Sequence, residues 1–319
     1  MRPSDVVITG VGLVTSLGAT AAETAGAWLD RRTASIAALP ELAGTPLESA
    51  PAALLPEFDA AGRLGGRRMI KYMSQGALLG CMAAREALAM SRASERFLPE
   101  RIGIFAGNGL AAANVTEVRD IIERSIDETG NFSDRLFGER GIATANPLLS
   151  FKILANMPPC LVSIIEGIKG PNVIYTPWEG HTAAAMLDGM NAVACGLVDC
   201  ALVGGADTPS NPATYAFLRS TGLIGADEFP AAGAGYIVIE KAETAASSGT
   251  KILARLDTIE MSASTRPASD PLSSRLGRTY AAAPAILMGI HALAGGDVPP
   301  LTGADGQDVR ISLTYPEAR

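Results

Sequence analysis

Glu179 stands where its neighbours require a nucleophile. In Gly170-Pro-Asn-Val-Ile-Tyr-Thr-Pro-Trp-Glu-Gly-His181, an apolar strand, Val173 to Thr176, runs into a tight Pro177/Trp178/Glu179/Gly180 turn. An Ala-rich helix opens near His181. A strand-turn-helix of this kind presents a side chain at a helix N-terminus, where free backbone N–H groups and the dipole stabilise negative charge. Cys or Ser at the tip would make an acyl-transfer site. A carboxylate has little capacity to carry an acyl group, and at a helix N-terminus it is expected to stay ionised, with a depressed pKa. His181, two residues on, could form an acid–base pair with Glu179 if the turn brings them within hydrogen-bond reach. The plainer reading makes it a capping histidine.

No other set of residues assembles a catalytic site. The second histidine, His291, lies in an apolar helix beside Gly295-Gly296 and reads as packed. Cys81, Cys160, Cys195 and Cys200 are scattered and read as thiols of a reducing cytoplasm, not as a disulfide framework. Cys195-x4-Cys200 lacks a second ligand pair, so neither a metal nor a cofactor is expected. Gly10-Val-Gly12 follows a strand but runs Gly-x-Gly-x-x-Thr, a weak match to a dinucleotide fingerprint.

The elements that must position the elbow alternate. Residues Val6–Thr15 read as a strand entering a glycine turn, and further strands are expected at Arg101–Asn108, Asp199–Asp207, Gly233–Glu240, Lys251–Met261 and Val309–Thr314. Helices are expected at Thr20–Leu29, Lys71–Met90, Val115–Ile126, Leu148–Ile164, His181–Cys195, Lys241–Gly249 and Tyr280–Leu293. Residues 38–66 read as a surface excursion, and 262–276 as patternless. Several strands are apolar on both faces, which implies sheets covered by helices. The 319 residues, 48% hydrophobic, suffice for a large core. A net charge of -7 argues against a nucleic-acid groove. No run is long and apolar enough to span a membrane.

These segments resemble the β-ketoacyl synthases of the thiolase fold. Val6-Val-Ile-Thr-Gly-Val-Gly-Leu-Val-Thr-Ser-Leu-Gly is similar to the family's opening strand and loop, and Asn146 to Pro158 to the helix before the active site. Gly170-Pro-Asn begins the nucleophile segment, and Gly196-Leu-Val-Asp-Cys-Ala-Leu-Val-Gly-Gly-Ala-Asp207 closes it. Leu276-Gly-Arg-Thr-Tyr-Ala-Ala-Ala resembles the late Gly-His-Thr motif. The resemblance implies an α/β chain with the layered αβαβα thiolase fold in two related halves. These are 1–240, carrying the degenerate elbow, and a shortened 241–319.

The departures carry the functional reading. By the resemblance, the nucleophilic Cys position falls on Glu179, the late histidine on Arg278 and the lysine five residues before it on Ser273. The segment that should carry the other histidine is deleted within 262–275, and the terminal Asn-x-Phe-Gly-Phe-Gly-Gly loop is absent. This pattern resembles chain-length factors: catalytically inactive subunits that heterodimerise with an active ketosynthase in type II polyketide synthases and shape the acyl tunnel. Acyl carrier protein would be reached through that complex. The expected tunnel positions are Leu110, Ala113, Thr116 and Leu149, and the short second half leans toward a highly reducing, polyene-type system. The alternative is a priming decarboxylase that acts on malonyl-carrier thioesters through Glu179.

Overall fold

The computed structural model describes residues 5–110 and 114–316. Its strands are β1 (Val6–Val14), β2 (Ile36–Ala38), β3 (Pro51–Ala53), β4 (Ile102–Asn108), β5 (Asn172–Tyr175), β6 (Cys200–Asp207), β7 (Gly233–Lys241), β8 (Ala254–Ala263), β9 (Leu301–Thr302) and β10 (Gln307–Thr314). The principal helices are α1 (Ala21–Leu29), α2 (Gln75–Ser91), α3 (Val115–Glu123), α4 (Leu149–Ile153), α5 (Met157–Glu166), α6 (Glu179–Ala194), α7 (Pro212–Ser220) and α8 (Ala283–Ala294). Eight strands form one mixed sheet in the order β5-β4-β6-β7-β1-β8-β10-β9, while β2, leading into the 38–66 excursion, pairs separately with β3 inside it. β4 runs parallel to β5 and β6, whereas β7 is antiparallel to both β6 and β1.

Side-chain alternation builds two cores. Ile102, Ile104 and Ala106 of β4, with Leu202 of β6 and Val238 of β7, pack under α2 and α5. Phe105, Val203, Ile237 and Ile239 point the other way, against α6 and α8. A bulge between Ile8 and Gly10 resets the parity of β1, so Val6, Ile8, Val11 and Leu13 all reach the α6/α8 core. Gly10 and Gly12 then back onto α2. A Cβ at Gly12 would stand 1.8 Å from the Ala83 carbonyl oxygen. The sequence placed these glycines in a turn after the strand; the strand instead runs through them, and they allow helix and sheet to meet closely.

The second half continues this sheet around the central helices. α6 touches β4, β5 and β6 near one end of the strand order and β8 and β10 near the other, so the sheet wraps around it. The layers are therefore α2/α5, the first five strands, α6/α8, and then β8-β10-β9. Along β10, Val309 and Ile311 are buried while Arg310, Ser312 and Thr314 are exposed. This far face meets solvent. α7 was not anticipated, although Asn211-Pro212 is a helix-start signal: the Asn211 side chain accepts the Ala213 N–H, and Pro212 needs no donor.

Candidate functional site: a buried ion pair at the elbow

β5 delivers the chain to the turn, and Glu179 opens α6 with its side chain fully buried, 0% exposed. Arg278 is 2% exposed, and its Nη2 lies 3.6 Å from Glu179 Oε1. That distance is a charge–charge contact and not a hydrogen bond, because neither atom has a hydrogen-bond partner. The other side of the guanidinium donates from Nη1 to Glu228 Oε1 at 3.0 Å. Its plane lies 4.8 Å from the centre of the Tyr280 ring, which also packs at 6.0 Å against Trp178. The two positions at which the resemblance expects a nucleophile and a histidine thus face each other across the core.

The β9–β10 turn closes the site from above. Ala304 donates its N–H to Glu179 Oε2 at 3.0 Å. A Cβ on Gly303 would stand 3.1 Å from the Glu179 Cβ, so glycine permits this approach. This short turn reaches the elbow. Residues 262–275 are stitched down beside it. Ser269 pairs with Thr302 through both backbone bonds, and Asp270 Oδ1 accepts the Leu272 N–H at 2.8 Å.

Three buried carboxyls share the region. Burial pushes Glu179 up to about 7, against its own and the Ala304 backbone N–H groups and Arg278. Burial likewise raises Asp207 to about 8, opposed by the Ala281 and Thr208 N–H groups. Asp270 rises to about 6 by burial, opposed by the Leu272 N–H and by Arg278. Burial disfavours the charge on Arg278, but Tyr280, Glu228, Asp270 and Glu179 outweigh it and keep the guanidinium protonated. The expectation of a depressed Glu179 pKa is therefore corrected: desolvation at a sealed position outweighs the helix N-terminus.

His181 does not join the site. Its Nδ1 accepts the Trp178 N–H at 3.3 Å, turning the ring back on the helix start as a cap. Ser273 begins a helical turn, Ser273–Leu276, that leads to Arg278, and it is half-buried outside the ion pair. His291 packs edge-on against Trp28 and sets Nδ1 by the Gly295 carbonyl. Cys81 and Cys200 are buried, and burial pushes the Cys81 thiol up to about 12. Sequence reasoning missed Asp207, Glu228, Asp270, Tyr280 and Ala304. The Leu-Val-Gly-Gly-Ala-Asp end of β6 was the one available signal for Asp207.

Of the tunnel positions, Leu110 lines a small recess with Asn108, Lys152, Leu154 and Asp207. Leu149 is half-buried at the start of α4. Ala113 lies outside the described residues, as does the side chain of Thr116. Among the described residues, no group of three His, Cys, Asp or Glu is able to hold a metal, and no helix is long and apolar enough to cross a membrane.

The family model described as the N-terminal domain of β-ketoacyl synthase matches residues 3–252. The 3-oxoacyl-[acyl-carrier-protein] synthase 2 of Vibrio harveyi is 23% identical over 283 residues, covering 80% of this chain and 62% of that protein. Its counterpart from Synechocystis sp. is 22% identical over 296 residues, covering 87% and 67%. The chain thus spans about two thirds or less of these relatives' lengths. Among solved structures, the ishigamide ketosynthase/chain length factor superimposes with a TM-score of 0.76 at 16% identity, covering 99% of this chain and 100% of that one. AntDE:AntF, a type II polyketide synthase acyl-carrier protein in complex with its hexaketide-bound ketosynthase, gives 0.77 at 15% identity and the same coverage. At these identities the superpositions speak for a thiolase-type ketosynthase fold. With a family match over most of its length, this chain belongs to the β-ketoacyl synthase family.

Proposed function

We propose that this chain is a non-catalytic partner of an active ketosynthase, with which it forms a heterodimer and limits the length of the acyl chain built there. The observation that carries the reading is the Glu179–Arg278 pair. A position that should offer an acyl acceptor to substrate instead holds a carboxylate with no solvent exposure, facing a guanidinium. The burial of Glu179 and the engagement of His181 Nδ1 by the Trp178 N–H support this reading over a priming decarboxylase. Leu110, Ala113, Thr116 and Leu149 remain the proposed tunnel positions, with the boundary between the two halves at 240/241. Acyl carrier protein would meet the complex through the active subunit, and a polyene-type system remains the proposed setting.

The surface near the elbow favours a partner. Among the described residues, β5 is an edge strand with one side unpaired. α5, which packs on β5, exposes Ile164, and nearby α4 exposes Phe151 and Ile153. Between them lies an apolar groove of about 620 Å³ lined by Met69, Tyr72, Phe151, Met157 and Ile164. A strand edge beside an apolar patch is a surface that association would bury. The test is native mass spectrometry of the tagged chain purified from its source cells. A one-to-one complex with a Cys-bearing ketosynthase is expected. A well-behaved homodimer that captures no ketosynthase would contradict the reading.

A further inference from the structure

We infer that the elbow is built around a buried water that bridges Glu179, Arg278 and Asp270, so that the ion pair is joined through the water and not by direct contact. The inference stands apart from the ketosynthase-partner reading, since it needs only the folded chain. Glu179 Oε1, Arg278 Nε and Nη2, Asp270 Oδ2 and Thr279 Oγ1 have no hydrogen-bond partner among the described residues. All four residues are more than nine-tenths buried. Leaving one buried polar group unpaired is costly, and more so when it is charged, so several around one ion pair point to a ligand.

Closing the pair directly would pull on contacts already made. Ala304 holds Glu179 by Oε2, and Glu228 holds Arg278 by Nη1, each at 3.0 Å. The Arg278 backbone is fixed as well, donating its N–H to the Phe229 carbonyl and accepting the Ala231 N–H. Nη2 and Oε1 are left 3.6 Å apart, too far for a hydrogen bond and near enough for one small molecule to touch both. Asp270 is tied by Oδ1 to the Leu272 N–H, and its charge acts on both Glu179 and Arg278.

The atoms left over fix the chemistry of the ligand. Arg278 Nε and Nη2 supply N–H groups, Glu179 Oε1 and Asp270 Oδ2 supply acceptors, and the Thr279 hydroxyl can serve as either. An anion would face two carboxylates, and a cation would face the guanidinium. A neutral molecule that both donates and accepts suits every partner, and water is the smallest that does. It would accept from Arg278 and donate to the two carboxyl oxygens, matching the usual count of about three hydrogen bonds for a buried water. The plainer arrangement, a direct ion pair, leaves Asp270 Oδ2 without a partner.

The test is a high-resolution crystal structure of the chain, alone or in the complex with which it purifies, prepared in bromide-containing buffer. A water peak within hydrogen-bond distance, about 2.7–3.2 Å, of Arg278, Glu179 and Asp270 is expected, with no anomalous bromide signal there. An anomalous peak would make this an anion site and overturn the inference. Contraction of Nη2 onto Oε1 with no density beside them would overturn it as well. Glu179→Leu with Arg278→Leu should lose the peak; water kept in that variant would show that the space and not the pair holds it, and would also overturn the inference. These results do not depend on a bound ketosynthase, so failure here leaves the proposed function standing.

Discussion

Arg278→Met is expected to lower the free energy of unfolding by about 3–5 kcal/mol at pH 8, the usual result of removing one partner from a buried pair. The cause is specific. Glu179 has no exposure, and Asp270 is also buried beside the guanidinium, so removing Arg278 leaves their charges in the core without compensation. At pH 5 the loss should be smaller, because Glu179, with a pKa of about 7, is then protonated and needs no partner. Replacing both members, Glu179→Leu with Arg278→Leu, should recover most of the loss, since apolar isosteres of a buried pair are often neutral or stabilising. Urea unfolding of the unsubstituted chain and both variants at both pH values checks this. Equal losses at pH 5 and pH 8 would show that Arg278 acts through packing and not through charge.

The unsubstituted chain should lose stability as the pH rises from 5 to 8, by at least about 3 kcal/mol, the worth of two pKa units. Glu179, Asp207 and Asp270 have native pKa values of about 7, 8 and 6, all above the ordinary carboxyl range. Between pH 4 and 8 the native chain therefore holds protons that the unfolded chain has released. Stability is then greatest at the acidic end and is lost as the pH climbs through the native values. The carboxyls held low, such as Asp199, Glu228 and Asp308, have finished titrating below this window and contribute no slope within it. Denaturant midpoints across the range measure the slope, and stability that rises toward pH 8 would refute the buried-carboxyl account.

What the sequence disclosed was what is local. The strand, turn and helix around Glu179 were legible because a short apolar run, a Pro/Gly turn and an Ala-rich stretch follow one another without a break. β6 and β7 were legible as apolar runs too long for one-sided burial. Glu179 and Arg278 could each be marked as departures, yet nothing in the sequence says that they touch, since they lie 99 residues apart and meet only through the packing of α6 under the sheet. The Ala304 N–H was invisible for the same reason: it arrives from a turn 125 residues away. The protonation of Glu179 was misjudged because a helix N-terminus can be read from sequence, whereas desolvation depends on Trp178, Tyr280 and the β9–β10 turn closing over it.

The central claim is that the chemistry of the complex belongs to the partner while this chain supplies shape. The most direct measurement is condensation of malonyl-loaded acyl carrier protein by the heterodimer, with the nucleophile position altered in one subunit at a time. Cys→Ala in the ketosynthase should abolish turnover, whereas Glu179→Gln in this chain should leave it within about two-fold, a difference of under 1 kcal/mol in the barrier. Turnover that survives the partner's substitution, or that is lost with Glu179→Gln, would contradict the account.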